Sequence, residues 1–455
     1  MPLRHTSGIR VGQAPGSYEE RDVRAIRKTA FRRSAAGVIV TALSLATAAC
    51  TTGGHGNVHS SPAAAASPQA SAKAKPTADA PRVTISPANG AGRVDPGAGI
   101  TVTAAAGTLT GVTVRTTGDA VSGQLSQGGR VWQSRWALDV AQAYTVTATA
   151  SGHGGTVTAT SSFRTLTPPQ TFRTHIFEGY RQTYGVGMPI ILTFSQPITD
   201  KAAVERSLRL TTSKPVVGAW YWDGSQTLNF RPRDYWPSGT TVSFTGHLNG
   251  VRGGPGLYGA HTLTQTFSIG RSLIAIANTA KHRTQIYYNG KLRYSWPISS
   301  GRPGDDTPNG SYLTIEKANP VEMKGPGYDL MVPWSVRFTF SGDYYHDAYW
   351  SVGEQGFDNV SHGCVNLSPA HAETYYKLAV PGDPITVVGS PRAGTWGNGW
   401  TEWFLSWPAY LRGSALHEAV RAGPDGSTFV NPSSLPASTA TAPLRTARAG
   451  NAAAR

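Results

Sequence analysis

Cysteine, acidic residues and familiar nucleophile motifs are scarce in this 455-residue sequence. It contains two cysteines, 26 acidic residues against 41 basic ones, and no Ser-x-x-Lys motif. The missing motif excludes a serine enzyme of the penicillin-binding class. No zinc-ligand cluster and no basic run interleaved with aromatic residues occurs, so the formal charge of +15 does not indicate nucleic acid as a partner. An anionic cell wall or lipid surface fits the same charge.

The N-terminal apolar run, residues 37–49, is too short to cross a bilayer, which needs roughly 20 residues. It follows a basic stretch and ends in small residues, an arrangement typical of a signal peptide. Residues 45–50 resemble a lipobox, with Thr47 where an aliphatic residue is usual. We therefore expect lipidation of Cys50 after cleavage. Ordinary cleavage that leaves a soluble secreted protein is the alternative.

Glycine (52) and proline (31) are abundant, and the hydrophobic fraction of 39% is low, which favours β architecture over helical bundles. Short alternating segments such as 100–103 and 144–147 are separated by turn residues, as in an antiparallel sandwich. The same alternating pattern repeats after residue 169, for example at 190–194. We expect two immunoglobulin-like sandwiches, which serve as spacers or, alternatively, bind a cell wall.

A third strand-rich segment begins near Ser272 and ends near Val388. Within it, residues 368–379 have apolar residues at helical spacing, with Ser368 as N-cap and Pro369 in the first turn, so we predict a short helix. Four tryptophans follow, which we interpret as core aromatics rather than as an amphipathic helix packed on this domain.

The predicted fold class is mainly β, with two immunoglobulin-like sandwiches before a β-rich catalytic domain that has a short helix and a Trp-rich C-terminal subdomain. The Ala/Ser/Pro composition of the linker and tail cannot bury enough apolar surface to fold. The boundaries are 1–50 for the signal peptide, 51–81 for a disordered linker, 82–168 and 169–271 for the sandwiches, 272–390 for the catalytic domain, 391–422 for the Trp-rich subdomain and 423–455 for a disordered tail.

Cys364 lies in the sequence Ser-His-Gly-Cys-Val-Asn, residues 361–366. A thiol attacks as its thiolate and needs a neighbouring base, usually histidine. His362 would leave an extended strand on the same face as Cys364, and His346 is far enough upstream to return on a neighbouring strand. Gly363 allows a tight turn that directs amides towards a reacting carbonyl. These residues alone leave open a buried cysteine with incidental histidines; a metal site is disfavoured because a second pair of ligands is missing.

This segment resembles the YkuD-type L,D-transpeptidases, over roughly residues 273–388. The two preceding sandwiches and the candidate lipobox resemble the actinobacterial lipoprotein branch of that family. The matching motifs are residues 299–301, 307–310, 327–328, 340–342, 346–356 and 361–366.

The resemblance implies that Cys364 attacks a peptidoglycan stem peptide and that His346 acts as base and then as acid. In the family this histidine is oriented by a backbone carbonyl, so the Asp347 side chain is given no role. The resemblance also implies that the amides of Gly363 and Cys364, with His362, hold the oxyanion, and that Ser361 supports them by hydrogen bonding.

Five further residues match positions that line the substrate path in related enzymes, although each could instead be a core or turn residue. Met323 falls in a lid over 315–333 that departs from the family pattern, so donor preference is not carried over. The five residues are Tyr328, Ser341, Gly342, Trp350 and Asn366.

The resemblance implies 3-3 cross-linking of stem peptides, inhibition by carbapenem β-lactams, and no metal or organic cofactor. With the lipobox it implies an extracytoplasmic enzyme anchored to the cell membrane and facing the wall. Three alternatives stay open: an L,D-carboxypeptidase, an enzyme that attaches protein to the wall, or a catalytically silent wall-binding lipoprotein.

Overall fold

The computed structural model describes residues 80–325 and 328–437, in which β-strands far outnumber helices. The mainly β fold class predicted from the sequence is confirmed. The predicted signal peptide, the candidate lipidation site Cys50 and all but the last two residues of the predicted linker lie outside the described residues. Within the described ranges, no helix combines the length and the apolar character needed to cross a membrane.

The first sandwich consists of two antiparallel sheets. Its strands are β1 (Arg82–Ser86), β2 (Thr101–Ala105), β3 (Thr108–Arg115), β4 (Gly123–Ser126), β5 (Val131–Ser134), β6 (Ala143–Gly152) and β7 (Gly155–Arg164). The strand orders are β1-β2-β5-β4 and β3-β6-β7. Alternation along β6 sends Tyr144, Val146 and Ala148 into the core and threonines outward. The outer threonines bond across strands, as Thr149 and Thr158 do at 3.0 Å.

The second sandwich has a larger, aromatic core that includes Trp220, Phe230 and Trp236. Its elements are β8 (Gln170–Phe172), β9 (Thr174–Ile176), β10 (Thr183–Tyr184), β11 (Ile190–Phe194), α1 (Lys201–Arg206), β12 (Leu208–Thr212), β13 (Val216–Asp223), β14 (Thr227–Pro232), β15 (Thr241–Gly246), β16 (Arg252–Gly254), β17 (Leu257–Gly259) and β18 (Leu263–Ile269). One sheet has the order β10-β18-β15-β12, and a small sheet has the order β16-β17-β8.

The third domain combines a five-stranded sheet, a four-stranded sheet and a hairpin. Its elements are β19 (Leu273–Asn278), β20 (Arg283–Tyr288), β21 (Lys291–Pro297), β22 (Gly310–Leu313), β23 (Glu316–Ala318), β24 (Val321–Gly325), β25 (Tyr328–Val332), β26 (Ser335–Arg337), β27 (Tyr344–Asp347), β28 (Val365–Leu367), α2 (Pro369–Leu378) and β29 (Pro384–Val388). The sheet orders are β21-β20-β19-β29-β22 and β23-β26-β27-β28, with β24 and β25 as the hairpin.

The predicted helix is confirmed as α2, with Ser368 at the N-cap and Pro369 in its first turn. Its buried face packs Tyr375 against Tyr345 of β27, with ring centroids 4.8 Å apart. After this helix, Asp383 forms a bidentate ion pair with Arg271, which precedes β19. The beginning and the end of the domain are thereby joined.

The C-terminal segment belongs to the second sandwich, which corrects two predictions. Strands β30 (Ala419–Gly423) and β31 (Gly426–Val430), preceded by helix α3 (Trp407–Leu411), complete a six-stranded sheet of order β31-β30-β13-β14-β11-β9. Residues 391–422 are therefore not a separate subdomain. Residues 423–437 are not disordered, because β31 pairs with β30 and through it with β13, and residues 432–434 form a 3-10 turn capped by Asn431.

The tryptophans of this segment are core aromatics, but largely of the sandwich. Trp400 and Trp403 are buried in its core, and the Trp403 indole donates to the Gly187 carbonyl at 2.8 Å. Phe404 turns the other way and packs on Tyr312 of the third domain. The segment thus contacts both domains.

Candidate active site

Parallel strand pairing brings Cys364 and His346 to one cavity. β27 and β28 align His346 with Asn366, and Cys364 directly precedes β28. Both residues line a cavity of about 350 Å³. A thiol and an imidazole that are separated in sequence therefore face the same space.

The cavity gathers most of the predicted site residues. Of the ten predicted catalytic and substrate-binding residues, seven line it. Ser341, Gly342 and Gly363 are not among the described residues that line it. The seven are Tyr328, His346, Trp350, Ser361, His362, Cys364 and Asn366.

His346 is held as a neutral imidazole with a defined tautomer. Its Nδ1 lies 2.7 Å from the backbone oxygen of Asp347, and since a carbonyl only accepts, Nδ1 carries the proton. Nε2 is then the nitrogen with a free lone pair. Burial lowers the pKa of His346 to about 4, against the opposing effect of this hydrogen bond. A backbone carbonyl orients the ring, as the resemblance implied.

The Cys364 thiol is protonated at neutral pH. Its Sγ lies 3.8 Å from the Gly342 carbonyl oxygen and donates to it. Burial raises the pKa of Cys364 to about 12; the charge of Asp343 acts in the same direction, and the backbone amide of Tyr344 opposes it. With both thiol and imidazole uncharged, nucleophilic attack requires a proton transfer as the bond to sulfur forms.

The turn before Cys364 depends on glycine. Gly363 has a φ of +128°, and a Cβ at this position would collide with the Asp343 carboxylate. Ser361 Oγ donates to the Cys364 carbonyl at 2.7 Å and accepts from the Gly363 amide at 3.2 Å. The Gly363 amide therefore donates to a side chain in this structure. Among the described residues, the amides of His362 and Cys364 have no acceptor outside the strand ladders, and the assignment of the oxyanion donors stays a prediction.

The β24–β25 hairpin forms one wall of the cavity within the predicted lid. Met323, Leu330 and Val332 supply apolar surface, and Tyr328 stacks at a tilt on His362 with ring centroids 4.9 Å apart. Burial raises the pKa of Tyr328, so its hydroxyl stays a hydrogen-bond donor at neutral pH.

Ser341 and Gly342 lie outside the cavity. The Ser341 amide donates to Asn398 Oδ1 at 2.8 Å, and Asn398 Nδ2 donates to Ser341 Oγ at 2.9 Å. Gly342 contributes its carbonyl oxygen to the thiol instead. The prediction that both residues line the substrate path stays a prediction; the structure adds that this loop lies against the segment after β29.

Trp350 and Asn366 flank the histidine. The Trp350 indole is 44% exposed and stacks near His346, with ring centroids 5.9 Å apart. Asn366 donates from Nδ2 to Ser351 Oγ at 2.9 Å, whereas its buried Oδ1 has no partner among the described residues.

Glu354 also lines the cavity, although it was not predicted as a site residue. It falls in the motif 346–356, which matches the family, but the sequence offered no chemical reason to select this glutamate as a site residue. No cluster of three or more His, Cys, Asp or Glu side chains suited to a metal ion occurs in residues 80–325 and 328–437.

Comparison with known proteins matches both halves of this architecture. Residues 91–252 match a bacterial Ig domain model, and residues 272–387 match an L,D-transpeptidase catalytic domain model. The first match spans parts of both sandwiches.

The chain is 34% identical over 357 residues to L,D-transpeptidase 2 of Mycobacterium tuberculosis (strain CDC 1551 / Oshkosh), covering 75% of this chain and 88% of the relative. It is 36% identical over 351 residues to L,D-transpeptidase 5 of Mycobacterium tuberculosis (strain ATCC 25618 / H37Rv), covering 74% and 78%. A solved structure of an L,D-transpeptidase in complex with imipenem is 37% identical, covers 47% of this chain and 97% of that chain, and has a TM-score of 0.41.

A β-rich domain with a cysteine and a histidine on one cavity, preceded by bacterial Ig-like sandwiches, is the architecture of a transpeptidase-type enzyme with an N-terminal Ig region. Within that class the chain belongs to the L,D-transpeptidase family and is an enzyme of that family.

Proposed function

We propose that this enzyme forms 3-3 cross-links between peptidoglycan stem peptides through a thioester at Cys364. The observation that carries the proposal is the placement of the Cys364 thiol and the His346 imidazole on one cavity, from adjacent parallel strands. The membership of the chain in the L,D-transpeptidase family supports the reaction class.

The first half-reaction acylates the thiol. Cys364 Sγ attacks the carbonyl between the third residue and the terminal D-Ala of a donor tetrapeptide, and His346 Nε2 takes the thiol proton as the bond forms. The amides of His362 and Cys364 stabilise the oxyanion. The carbon–nitrogen bond then breaks, and His346 returns the proton to the departing D-Ala amine.

The second half-reaction transfers the acyl group. The side-chain amine of diaminopimelate on an acceptor stem attacks the thioester carbonyl, and His346 accepts a proton from that amine. The bond to sulfur breaks, and the proton restores the Cys364 thiol. The strained amide of a carbapenem is open to the same attack, so it should leave a covalent adduct on Cys364.

The test is product analysis with residues 51–455 and a disaccharide-tetrapeptide that contains diaminopimelate. We expect free D-Ala and a dimer joined between two third residues, with loss of both in Cys364→Ala while the circular dichroism spectrum is unchanged. D-Ala and tripeptide without dimer would indicate a carboxypeptidase or a different acceptor, such as protein. If neither turnover nor a carbapenem adduct is observed, only the catalytically silent wall-binding protein remains.

The proposed location is extracytoplasmic, with a lipid on Cys50 holding the enzyme at the membrane and the following linker reaching towards the wall. The signal-peptide pattern and the lipobox resemblance support it. Partition of the full chain into a detergent phase, lost in Cys50→Ala, is the expected result. Equal partition of both proteins would contradict anchoring.

A further inference from the structure

Glu354 is a carboxylate in the cavity that the proposed mechanism does not use. Its side chain is half-buried and lines the cavity together with the apolar hairpin residues. Within residues 80–325 and 328–437, neither a lysine nor an arginine lines this cavity, and the Glu354 carboxylate has no ion-pair or hydrogen-bond partner. A half-buried carboxylate that lines a cavity without a neighbouring cation is available to a positively charged ligand.

The backbone fixes the position of this carboxylate. The Glu354 amide donates to the Ser351 carbonyl at 3.2 Å, and its own carbonyl accepts from the amides of Phe357 and Asp358 at 2.9 Å each. Ser351 in turn accepts from Asn366 at 2.9 Å. Glu354 and Asn366 therefore belong to one hydrogen-bonded unit beside His346.

The cavity therefore offers one unpaired charged acceptor, the Glu354 carboxylate. Its lining also includes the apolar side chains of Met323, Leu330 and Val332. A carboxylate in a cavity with an apolar lining suits an ammonium group at the end of an aliphatic stem, because an ammonium has three donors and no acceptor. A ligand carboxylate would be repelled here.

We propose that Glu354 binds the free ammonium of the third-residue side chain of a stem peptide, the class to which diaminopimelate belongs. This inference rests on the proposed function for the identity of the peptide. The ammonium is present on both the donor and the acceptor stem, so kinetic measurements must show which of the two stems Glu354 binds.

The decisive measurement is equilibrium binding in the Cys364→Ala background, which does not require turnover. A tetrapeptide with a free side-chain amine is compared with the same peptide acetylated on that amine. We expect the free amine to bind more tightly by roughly three- to tenfold, the range between an exposed ion pair and a charge-assisted hydrogen bond. Glu354→Gln keeps the shape, removes the charge, and should abolish this preference.

Asp358→Asn is the matched control, because Asp358 is exposed on the same turn and does not line the cavity. It should keep the wild-type preference for the free amine. The proposal is overturned if Glu354→Gln retains that preference, or if Asp358→Asn loses it equally.

Kinetics with active Cys364 assigns the stem. A donor role predicts a lower kcat/KM for D-Ala release in Glu354→Gln, only with the free-amine donor. An acceptor role predicts unchanged D-Ala release and a raised KM for the acceptor in dimer formation. If binding shows the preference but no D-Ala release depends on Cys364, the ammonium site stands and the cross-linking function falls.

Discussion

Two groups of polar side chains in the catalytic domain differ in how completely they are paired. At the junction with the second sandwich, Asp383 accepts from Arg271 at 2.6 and 2.7 Å and from the Val380 amide at 2.7 Å. In the cavity, by contrast, Asn366 Oδ1 and the Glu354 carboxylate have no partner among the described residues. Buried polar groups that are fully paired hold the domain together, whereas those left unpaired face the substrate.

The difference has an electrostatic side as well. The junction keeps opposite charges together, while the cavity keeps its two reacting groups, Cys364 and His346, uncharged until a substrate arrives. Substitution in the cavity should therefore change rate with little effect on folding, and substitution at the junction should do the reverse.

His346→Gln should give the largest effect. Removing the base leaves a thiol that is protonated at neutral pH, so we expect kcat/KM for D-Ala release to fall roughly 10²–10⁴-fold. The midpoint of urea unfolding should stay near that of wild type. A variant that keeps more than a tenth of the activity would mean that another group takes the thiol proton.

Arg271→Met should affect stability rather than chemistry. It strands a buried carboxylate, so we expect the free energy of unfolding to fall by about 3–5 kcal/mol in urea titrations. Lys377→Met breaks the exposed Lys377–Glu373 pair and serves as the control, with an expected change of about 0.5 kcal/mol or less. Equal effects of the two variants would show that the buried Arg271–Asp383 pair contributes no more to stability than an exposed ion pair.

The pH dependence of thiol alkylation changes no residue, and it isolates the charge state of the nucleophile. Residues 51–455 contain Cys364 as their one cysteine. Because the pKa of Cys364 is raised to about 12, its alkylation by iodoacetamide should climb about tenfold per pH unit from pH 7 to about pH 10. A plateau near pH 8 to 9, as an exposed cysteine gives, would show that the thiol is not desolvated.

The candidate pair Cys364 and His346 was selected from a local motif and its resemblance to a family. The structure places both residues on one cavity, through the parallel pairing of β27 with β28. The helix after the motif was equally predictable from its cap and its apolar spacing. Such features depend on a few neighbouring residues.

What the sequence does not reveal are contacts between distant segments. Ser341 bonds to Asn398, which lies 57 residues further along the chain. Strand β30 was predicted to lie in a separate Trp-rich subdomain and strand β31 in a disordered tail, because their partner sheet, with β13 next to β30, lies about 200 residues upstream. Composition alone does not reveal a partner so far away.

The return of the chain to β13 has a mechanical consequence. Since the second sandwich begins with β8 and is completed by β30 and β31, the catalytic domain is an insertion in that sandwich: it follows β18 of the four-stranded sheet and precedes β30 of the six-stranded sheet. A protease cut at residue 271 would leave the two parts joined through β30 and β31, and pulling on the sandwich would load the catalytic domain through two attachment points rather than one. Ending the chain after the catalytic domain would remove β30 and β31 and leave β13 as an exposed edge strand.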